Sequence, residues 1–227
     1  MDPARSPRGG SGIRRTVAVI AAGALLVVGA FAVGRISAPV SSAPSTTSAE
    51  AGFSRDMQAH HQQAVQLSMI VRDLTDDYDI RLLALDIATG QAGQAGQMYS
   101  WLDMWNLPQA DAEPSMTWMS RPPITGGDAH GHEEGEPAHE PGSPMPGLAT
   151  NAQIATLETL EGVDAERYFL QLMIAHHEGG VEMAEAILER TDERVVVTLA
   201  KGIVKGQSAE IEYMSDLLTV RGGPLDL

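Results

Sequence analysis

Two short, matching motifs contain the residues of this chain that are best suited to chemistry. The motif Met-x-x-His-His occupies residues 57–61 and again residues 173–177. In an α-helix, side chains three and four positions apart lie on one face, so each methionine lies beside its histidines. A thioether is a soft, neutral ligand that selects Cu(I) or Ag(I), and imidazole suits copper in either oxidation state. The motifs therefore predict a soft-metal site, with Cu(I) favoured and Ag(I) as a second metal. The predicted ligands are Met57, His60, His61, Met173, His176 and His177.

The motif recurs because a longer segment is duplicated. Residues 48–102 align with residues 164–218 without a gap, and seventeen of the 55 aligned residues are identical. Chance would give about one identity in sixteen positions. Each copy has the pattern of two helices, with Ser48 and Asp164 as the predicted N-caps of the first helices. The predicted helices cover, in order, residues 48–74, 76–105, 164–190 and 192–220.

Apolar periodicity predicts how these helices pack. In the third helix, apolar and motif residues recur every three or four positions along one stripe: Phe169, Leu172, Met173, His176, Gly180, Met183 and Ile187. Two helical hairpins with such stripes bury them best as a four-helix bundle. The fold class is therefore predicted to be all-α, with a short extra helix near residues 151–160 leading into the third.

The second helix of each copy adds a further methionine. Met98 and Met214 share a stripe with glutamine or glutamate residues, and we expect them near the histidines as additional ligands or supporting side chains. The alternative for every methionine is a purely structural role, because methionine often fills irregular gaps in a core. One histidine of each pair also points away from the other and can be structural.

Composition excludes several functional classes. The chain has a formal net charge of -15, and after Arg35 it has 10 basic and 29 acidic residues. Nucleic acid is therefore not a predicted partner, since binding phosphate requires clustered Lys and Arg. The absence of cysteine excludes disulfides, zinc–thiolate sites, iron–sulfur clusters and blue-copper sites. A di-iron site is not expected either, because the one Glu-x-x-His string, residues 136–139, lies outside the predicted helices.

The N-terminal region has the pattern of an export signal or a membrane anchor. Residues 1–15 form a basic tail, and residues 16–36 contain an uncharged apolar run long enough to span a membrane. A linker, residues 37–47, follows. The positive-inside rule places the C-terminal domain outside the cytoplasm on a single-pass cell-membrane anchor. If a signal peptidase cleaves near residues 42–43, the domain is instead secreted.

The two copies are joined by a segment of a different composition. Residues 106–150 hold eight of the 13 prolines and an acidic run that includes His130, His132 and His139. Because no periodicity is visible there, we expect a mobile connector. The short helix and the second hairpin follow it and together cover residues 151–227. For these three histidines a solvated loop is favoured over an auxiliary metal-capturing segment.

Several strings resemble a known bacterial family, domain-of-unknown-function family 305. The resemblance covers residues 48–218 and is strongest in residues 53–61, 164–178, 181–184 and 207–214. It implies a ferritin-like helical bundle, and some exported members of the family are implicated in copper binding through Met and His. The first copy differs from the family pattern at Ser48 and Gln62, where the second has Asp164 and Glu178.

Together these features predict an extracytoplasmic, membrane-anchored protein that binds or buffers copper. The alternative is a metal-free accessory bundle tethered to an envelope complex. A protein partner in the envelope and a homo-oligomer are both open. An enzyme is not predicted, because we find no phosphate loop, nucleophile elbow or acid–base dyad.

Overall fold

The computed structural model of the chain describes residues 23–31, 43–110, 113–124 and 140–226. Met1–Ala43 and Pro44–Leu227 form two compact units. In the first unit, the described residues form helix α1 (residues 23–31). None of the helices in the described part of the chain has the length and hydropathy needed to cross a membrane. Most of the predicted tail and anchor, residues 1–22 and 32–36, lies outside the described residues.

The second unit is helical, and its described residues contain no strand. Four long helices are joined in two hairpins, and a short helix precedes the second hairpin. They are α2 (Ala49–Leu74), α3 (Tyr78–Met104), α4 (Asn151–Leu157), α5 (Gly162–Leu188) and α6 (Arg194–Val220). A 3-10 turn, Thr117–Ser120, lies between the hairpins. These bounds agree with the predicted helices to within about two residues, which confirms an all-α fold.

Two hydrophobic clusters fill the bundle, and each draws residues from all four long helices. The first contains Leu67, Ile80, Phe169 and Met214. The second is built from Phe53, Met98, Ile187 and Ile203, among others. The first cluster joins the C-terminal parts of α2 and α6 to the N-terminal parts of α3 and α5, and the second cluster joins the opposite ends. Neighbouring helices in each hairpin are therefore antiparallel, and α2 also runs antiparallel to α5. The predicted stripe of the third helix is buried throughout.

The two hairpins clasp each other through equivalent contacts at their turns. Thr75, in the α2–α3 turn, donates a hydrogen bond to Oε1 of Glu166 at 2.5 Å. Thr191, in the α5–α6 turn, donates to Oε1 of Glu50 at 2.7 Å. Each threonine hydroxyl also accepts a backbone N–H two residues later. The turn of each repeat is thus tied to the first helix of the other, which fixes the register between the repeats.

The predicted N-caps differ between the repeats. Ser48 caps α2 by accepting a hydrogen bond from the backbone N–H of Ala51 at 3.3 Å, as predicted. The prediction for Asp164 is wrong, because α5 begins two residues earlier, at Gly162, and Asp164 lies in its first turn. The reason is the neighbouring helix α4, which leads into α5 through a sharp turn where Gly162 has a φ of 55°. Glycine adopts that angle without strain.

The described parts of the connector pack against the bundle. Trp118 is 2% exposed and packs edge-on against Phe53, with ring centroids 5.5 Å apart. Its indole N–H and the backbone N–H of Met116 both donate to Oδ2 of Asp56, at 2.9 and 2.7 Å. The tryptophan therefore seals one end of the bundle. His130, His132 and His139 lie outside the described residues.

Candidate metal centre

Four buried imidazoles form a layer across the middle of the bundle, between the two hydrophobic clusters. His60 and His61 come from α2, and His176 and His177 from α5; all four are fully buried. Successive ring centroids, in the order His61, His60, His176 and His177, are 6.3, 3.9 and 6.0 Å apart. The histidines of the two motifs therefore meet in space, and we call this arrangement the histidine layer.

Every ring in the histidine layer uses its Nε2 atom to contact an oxygen. His61 contacts Oε1 of Gln94 and His177 contacts Oε2 of Glu210, each at 2.7 Å. His176 contacts the backbone carbonyl of His60 at 2.8 Å. His60 contacts the backbone carbonyl of Pro146, in the connector, at 3.0 Å. Because these oxygens act as acceptors, each Nε2 carries the proton and donates it.

The other ring nitrogen of each histidine is left unpaired. The Nδ1 atoms of His60, His61, His176 and His177 are buried, and none has a hydrogen-bond partner among the described residues. In a neutral imidazole whose Nε2 is protonated, Nδ1 carries the free lone pair. Histidine ligands in metalloproteins characteristically donate their second N–H to a carboxylate or a carbonyl oxygen. All four rings have that arrangement.

Burial also favours the neutral form of three of these rings. It lowers the pKa of His60 to about 4 and that of His61 to about 3. Burial likewise holds the pKa of His176 well below its usual value, and the neighbouring His60 lowers it further. The hydrogen bonds to Pro146 and Gln94 act in the opposite direction but are weaker than desolvation. At neutral pH these three lone pairs are therefore free to bind a cation rather than a proton.

Two glutamines beside the histidine layer are buried with unpaired amides. Gln91, on α3, and Gln207, on α6, are 5% and 4% exposed. Neither the oxygen nor the nitrogen of either amide has a hydrogen-bond partner within the described part of the chain. An unpaired buried polar group costs roughly 1–3 kcal/mol. In the sequence, each glutamine shares a helical stripe with a methionine seven positions later, but no pattern there indicates that its amide is unpaired.

The predicted methionine ligands are buried but do not meet in one place. Met57 and Met98 belong to the second hydrophobic cluster, which also contains Met183, whereas Met173 and Met214 belong to the first. His61 and His177 are the outer histidines of the layer. In each repeat, one methionine lies one helical turn before the outer histidine. The other methionine lies one turn after the Gln or Glu residue that contacts this histidine. The structure thus gathers the histidines of both repeats and leaves one pair of methionines on each side of the layer.

Carboxylates contribute little to this centre. Within the described residues, no group of three or more His, Cys, Asp or Glu side chains is arranged to hold a metal ion. A site that holds a metal ion with three or more side chains would therefore need thioether or amide donors besides the histidines. Of these two donor types, only the thioethers favour a soft cation.

Sequence reasoning missed the contribution of the connector. Gln63, on α2, donates to the backbone carbonyl of Ala149 at 2.9 Å and accepts its N–H at 2.7 Å. Gly179, on α5, lies so close to the carbonyl of Pro146 that any Cβ there would overlap it. Together these contacts hold residues 146–149 over the histidine layer. The only available signal was the glycine at 179 where the first repeat has Gln63.

The chain matches one protein family over residues 50–218, the family described as "Domain of unknown function (DUF305)". It is 46% identical to a predicted secreted protein of this family from Streptomyces coelicolor, with a TM-score of 0.68. The match covers 81% of this chain and 99% of that one. A DUF305 fragment from Deinococcus radiodurans is 33% identical, with a TM-score of 0.60, and 78% and 99% of the chains are covered.

A third solved structure is that of CopM in its Cu(I)-bound form. It is 22% identical to the chain, with a TM-score of 0.54, and 75% of this chain and 96% of CopM are covered. CopM has also been solved in Ag-bound and Cu(II)-bound forms. At this identity the likeness shows a shared fold. No curated protein matches the sequence.

Proposed function

The chain belongs to the DUF305 family, and from that premise we propose that it binds a soft metal ion, Cu(I) above all, through its histidine layer and the adjoining methionines. The observation that carries the proposal is the set of four buried imidazoles, each with Nε2 paired to an oxygen and Nδ1 unpaired among the described residues. Four such nitrogens in one layer are a costly feature for a core that does nothing but pack. Bound cations would satisfy them.

The identity of the metal follows from the donor types. Imidazole and thioether are both neutral, and the thioether favours Cu(I) and Ag(I) over harder cations. A monovalent ion also adds less charge to a buried site than a divalent ion would. Copper and silver are the metals in the bound forms of CopM, which has the same fold.

The two repeats supply two equivalent sets of donors. In the first, His61 is accompanied by Met57 and Met98; in the second, His177 is accompanied by Met173 and Met214. The central pair, His60 and His176, lies between the two sets, with ring centroids 3.9 Å apart. We expect up to two metal ions per chain, one on each side of this pair.

The proposed location is outside the cytoplasm. The relative from Streptomyces coelicolor is a predicted secreted protein, and the N-terminal sequence predicts an anchor or a signal. In that compartment a binding protein without cysteines would buffer copper without the risk of thiol oxidation. A membrane anchor, an envelope partner and a homo-oligomer remain predictions.

A Cu(I) competition titration against a chromogenic chelator tests the proposal. The variant carries Met57→Leu, Met98→Leu, Met173→Leu and Met214→Leu, since exchanging Met for Leu keeps the volume of the core and usually costs under about 1.5 kcal/mol per site. The matched control carries Met69→Leu and Met104→Leu, which lie on two of these helices, α2 and α3, but are 53% and 69% exposed.

The expected result is tight binding by the wild type and the control, and a loss in the variant larger than the roughly 10–100-fold typical of changes around a metal site. Circular dichroism would show that the variant is still helical. Equal affinity in all three proteins, or no tight binding by the wild type, would contradict the proposal and favour a metal-free accessory bundle.

A further inference from the structure

A groove on the surface of the bundle leads from solvent towards the histidine layer. It lies between residues 86–94 of α3 and residues 202–210 of α6, and we call it the α3–α6 groove. Its lining includes Gln94 and Glu210, which are the partners of the outer histidines, His61 and His177. The groove is therefore bordered by the two side chains that orient the outer rings.

The unpaired amides of Gln91 and Gln207 also line this groove. Both side chains are more than nine-tenths buried, and each has an oxygen and a nitrogen without a partner among the described residues. Gly180 lies directly behind Gln207, since a Cβ at that position would overlap its amide oxygen. Two equivalent amides, one from each repeat, thus lie in the groove beside the partners of the outer rings.

We propose that the α3–α6 groove is the route by which the metal ion reaches the histidine layer, and that the Gln91 and Gln207 amides hold the ion during its passage. The proposal rests on the function proposed above, and it adds the path of the metal ion and the two amides that hold the ion on the way. Amide oxygens are hard donors and bind a soft ion weakly. They can therefore replace part of its hydration shell and still release it to imidazole and thioether.

Charge and shape support this direction of entry. Asp86 and Glu210 supply negative charge along the groove, which attracts a cation from solvent. Glycines at positions 90 and 206 leave the space between the helices open. A Cβ added at either position meets no atom of the described residues within 4 Å. Larger side chains at these two positions would therefore narrow the groove without disturbing the core.

The test narrows the α3–α6 groove with the paired substitutions Gly90→Leu and Gly206→Leu in the full chain. The control carries Gly93→Leu and Gly96→Leu, which lie on α3 and have equally open surroundings in the described structure but do not line the groove. Cu(I)-loaded protein is mixed with excess chromogenic chelator, and the rate of transfer is measured beside the equilibrium affinity. A blocked path slows binding and release by the same factor and leaves Kd unchanged.

The expected result is transfer at least tenfold slower in the groove variant than in the control, with affinities within twofold of the wild type. A second variant, Gln91→Leu with Gln207→Leu, should also exchange metal more slowly, and its metal-free form should melt at a higher temperature because unpaired buried amides are gone. Wild-type exchange rates in the groove variant would overturn the route. Wild-type rates in the glutamine variant alone would show that the amides bind only water and would overturn their role.

Failure of the underlying function looks different from either result. If the wild type binds no Cu(I) at equilibrium, both proposals fall together. If it binds tightly and all variants exchange at one rate, metal binding stands and the route is wrong.

Discussion

His60 and His176 occupy equivalent positions in the two repeats, but they donate to different oxygens. His176 donates to the backbone carbonyl of His60, whereas His60 donates to that of Pro146, in the connector. The difference originates one turn further along each helix, where Gln63 holds the connector by hydrogen bonds and the equivalent Gly179 gives it room. The duplication thus builds the histidine layer, and the connector removes its two-fold symmetry. Equivalent residues need not have equivalent roles once a third segment packs on only one side.

A second difference concerns the outer histidines. His61 donates to the neutral amide of Gln94, whereas His177 donates to the carboxylate of Glu210, which is 40% exposed. A carboxylate partner makes an imidazole a stronger donor to metal than an amide partner does. The site in the second repeat should therefore be the tighter of the two.

The largest expected effect is on the acid stability of the metal-free protein. Burial lowers the pKa values of His60, His61 and His176 below the ordinary value of 6.5. Between pH 6.5 and about 4 the unfolded chain therefore binds more protons than the folded chain, and the free energy of unfolding falls as the pH falls. Each histidine contributes up to about 1.4 kcal/mol per pH unit to this fall, so the three together contribute up to about 4 kcal/mol per pH unit.

Urea unfolding from pH 7 to pH 5 measures this slope. Despite their different partners, His60→Gln and His176→Gln should each remove about a third of it. A slope that changes for only one of the two would mean that the contact with Pro146 alters the titration of His60 more than burial does.

The next effect concerns the position where the repeats differ most. A Gly179→Ala substitution places a Cβ against the carbonyl of Pro146, and such overpacking costs about 1–3 kcal/mol. The control is Gly96→Ala, a helical glycine with open surroundings in the described structure, where alanine should stabilise the helix by up to about 1 kcal/mol. Chemical unfolding compares the two. Equal changes would show that the connector is not held against α5.

A smaller effect is expected from exchanging the partners of the outer histidines. Glu210→Gln makes the second site resemble the first, and we expect its affinity for Cu(I) to fall roughly tenfold. Gln94→Glu should strengthen the first site by a similar factor. A two-step chelator competition resolves both, and changes of the same sign in the two variants would contradict the comparison.

The smallest effect concerns the helix starts. Ser48→Ala removes a side-chain cap from α2 and should lower the free energy of unfolding by about 1 kcal/mol. The equivalent substitution, Asp164→Ala, removes an exposed residue within the first turn of α5 and its contact with Arg167, and should cost less than about 0.5 kcal/mol. Thermal unfolding of both proteins checks the order. The reverse order would mean that Asp164 supports the start of α5 more than its position indicates.

The predicted features that the structure confirms have local causes. Apolar residues at helical spacing, the Ser48 cap and the turn residues Thr75 and Thr191 determine where the long helices lie. The duplication at a constant offset then implies two similar hairpins with facing stripes. These patterns depend on residues a few positions apart, so the sequence shows them directly.

Other predictions were wrong or incomplete because they depend on residues far apart in the chain. Asp164 does not cap α5, since that helix begins two residues earlier, at Gly162, after the turn from α4. The connector contacts the bundle through Trp118 and Phe53, which lie far apart in the chain. No sequence pattern within the connector predicts which surface of the bundle it packs against.

The sequence by itself determined the all-α fold and the duplicated hairpins, and it predicted the set of thioether and imidazole donors. Only the tertiary structure decided that the four imidazoles form one layer, that the methionines divide into two pairs, and that Pro146 holds His60. The physical reason is that a helical pattern specifies which face of a helix is buried but not what lies opposite it. The partners of Nε2 come from helices and a connector 33 to 116 positions away, and only packing brings them within hydrogen-bonding distance.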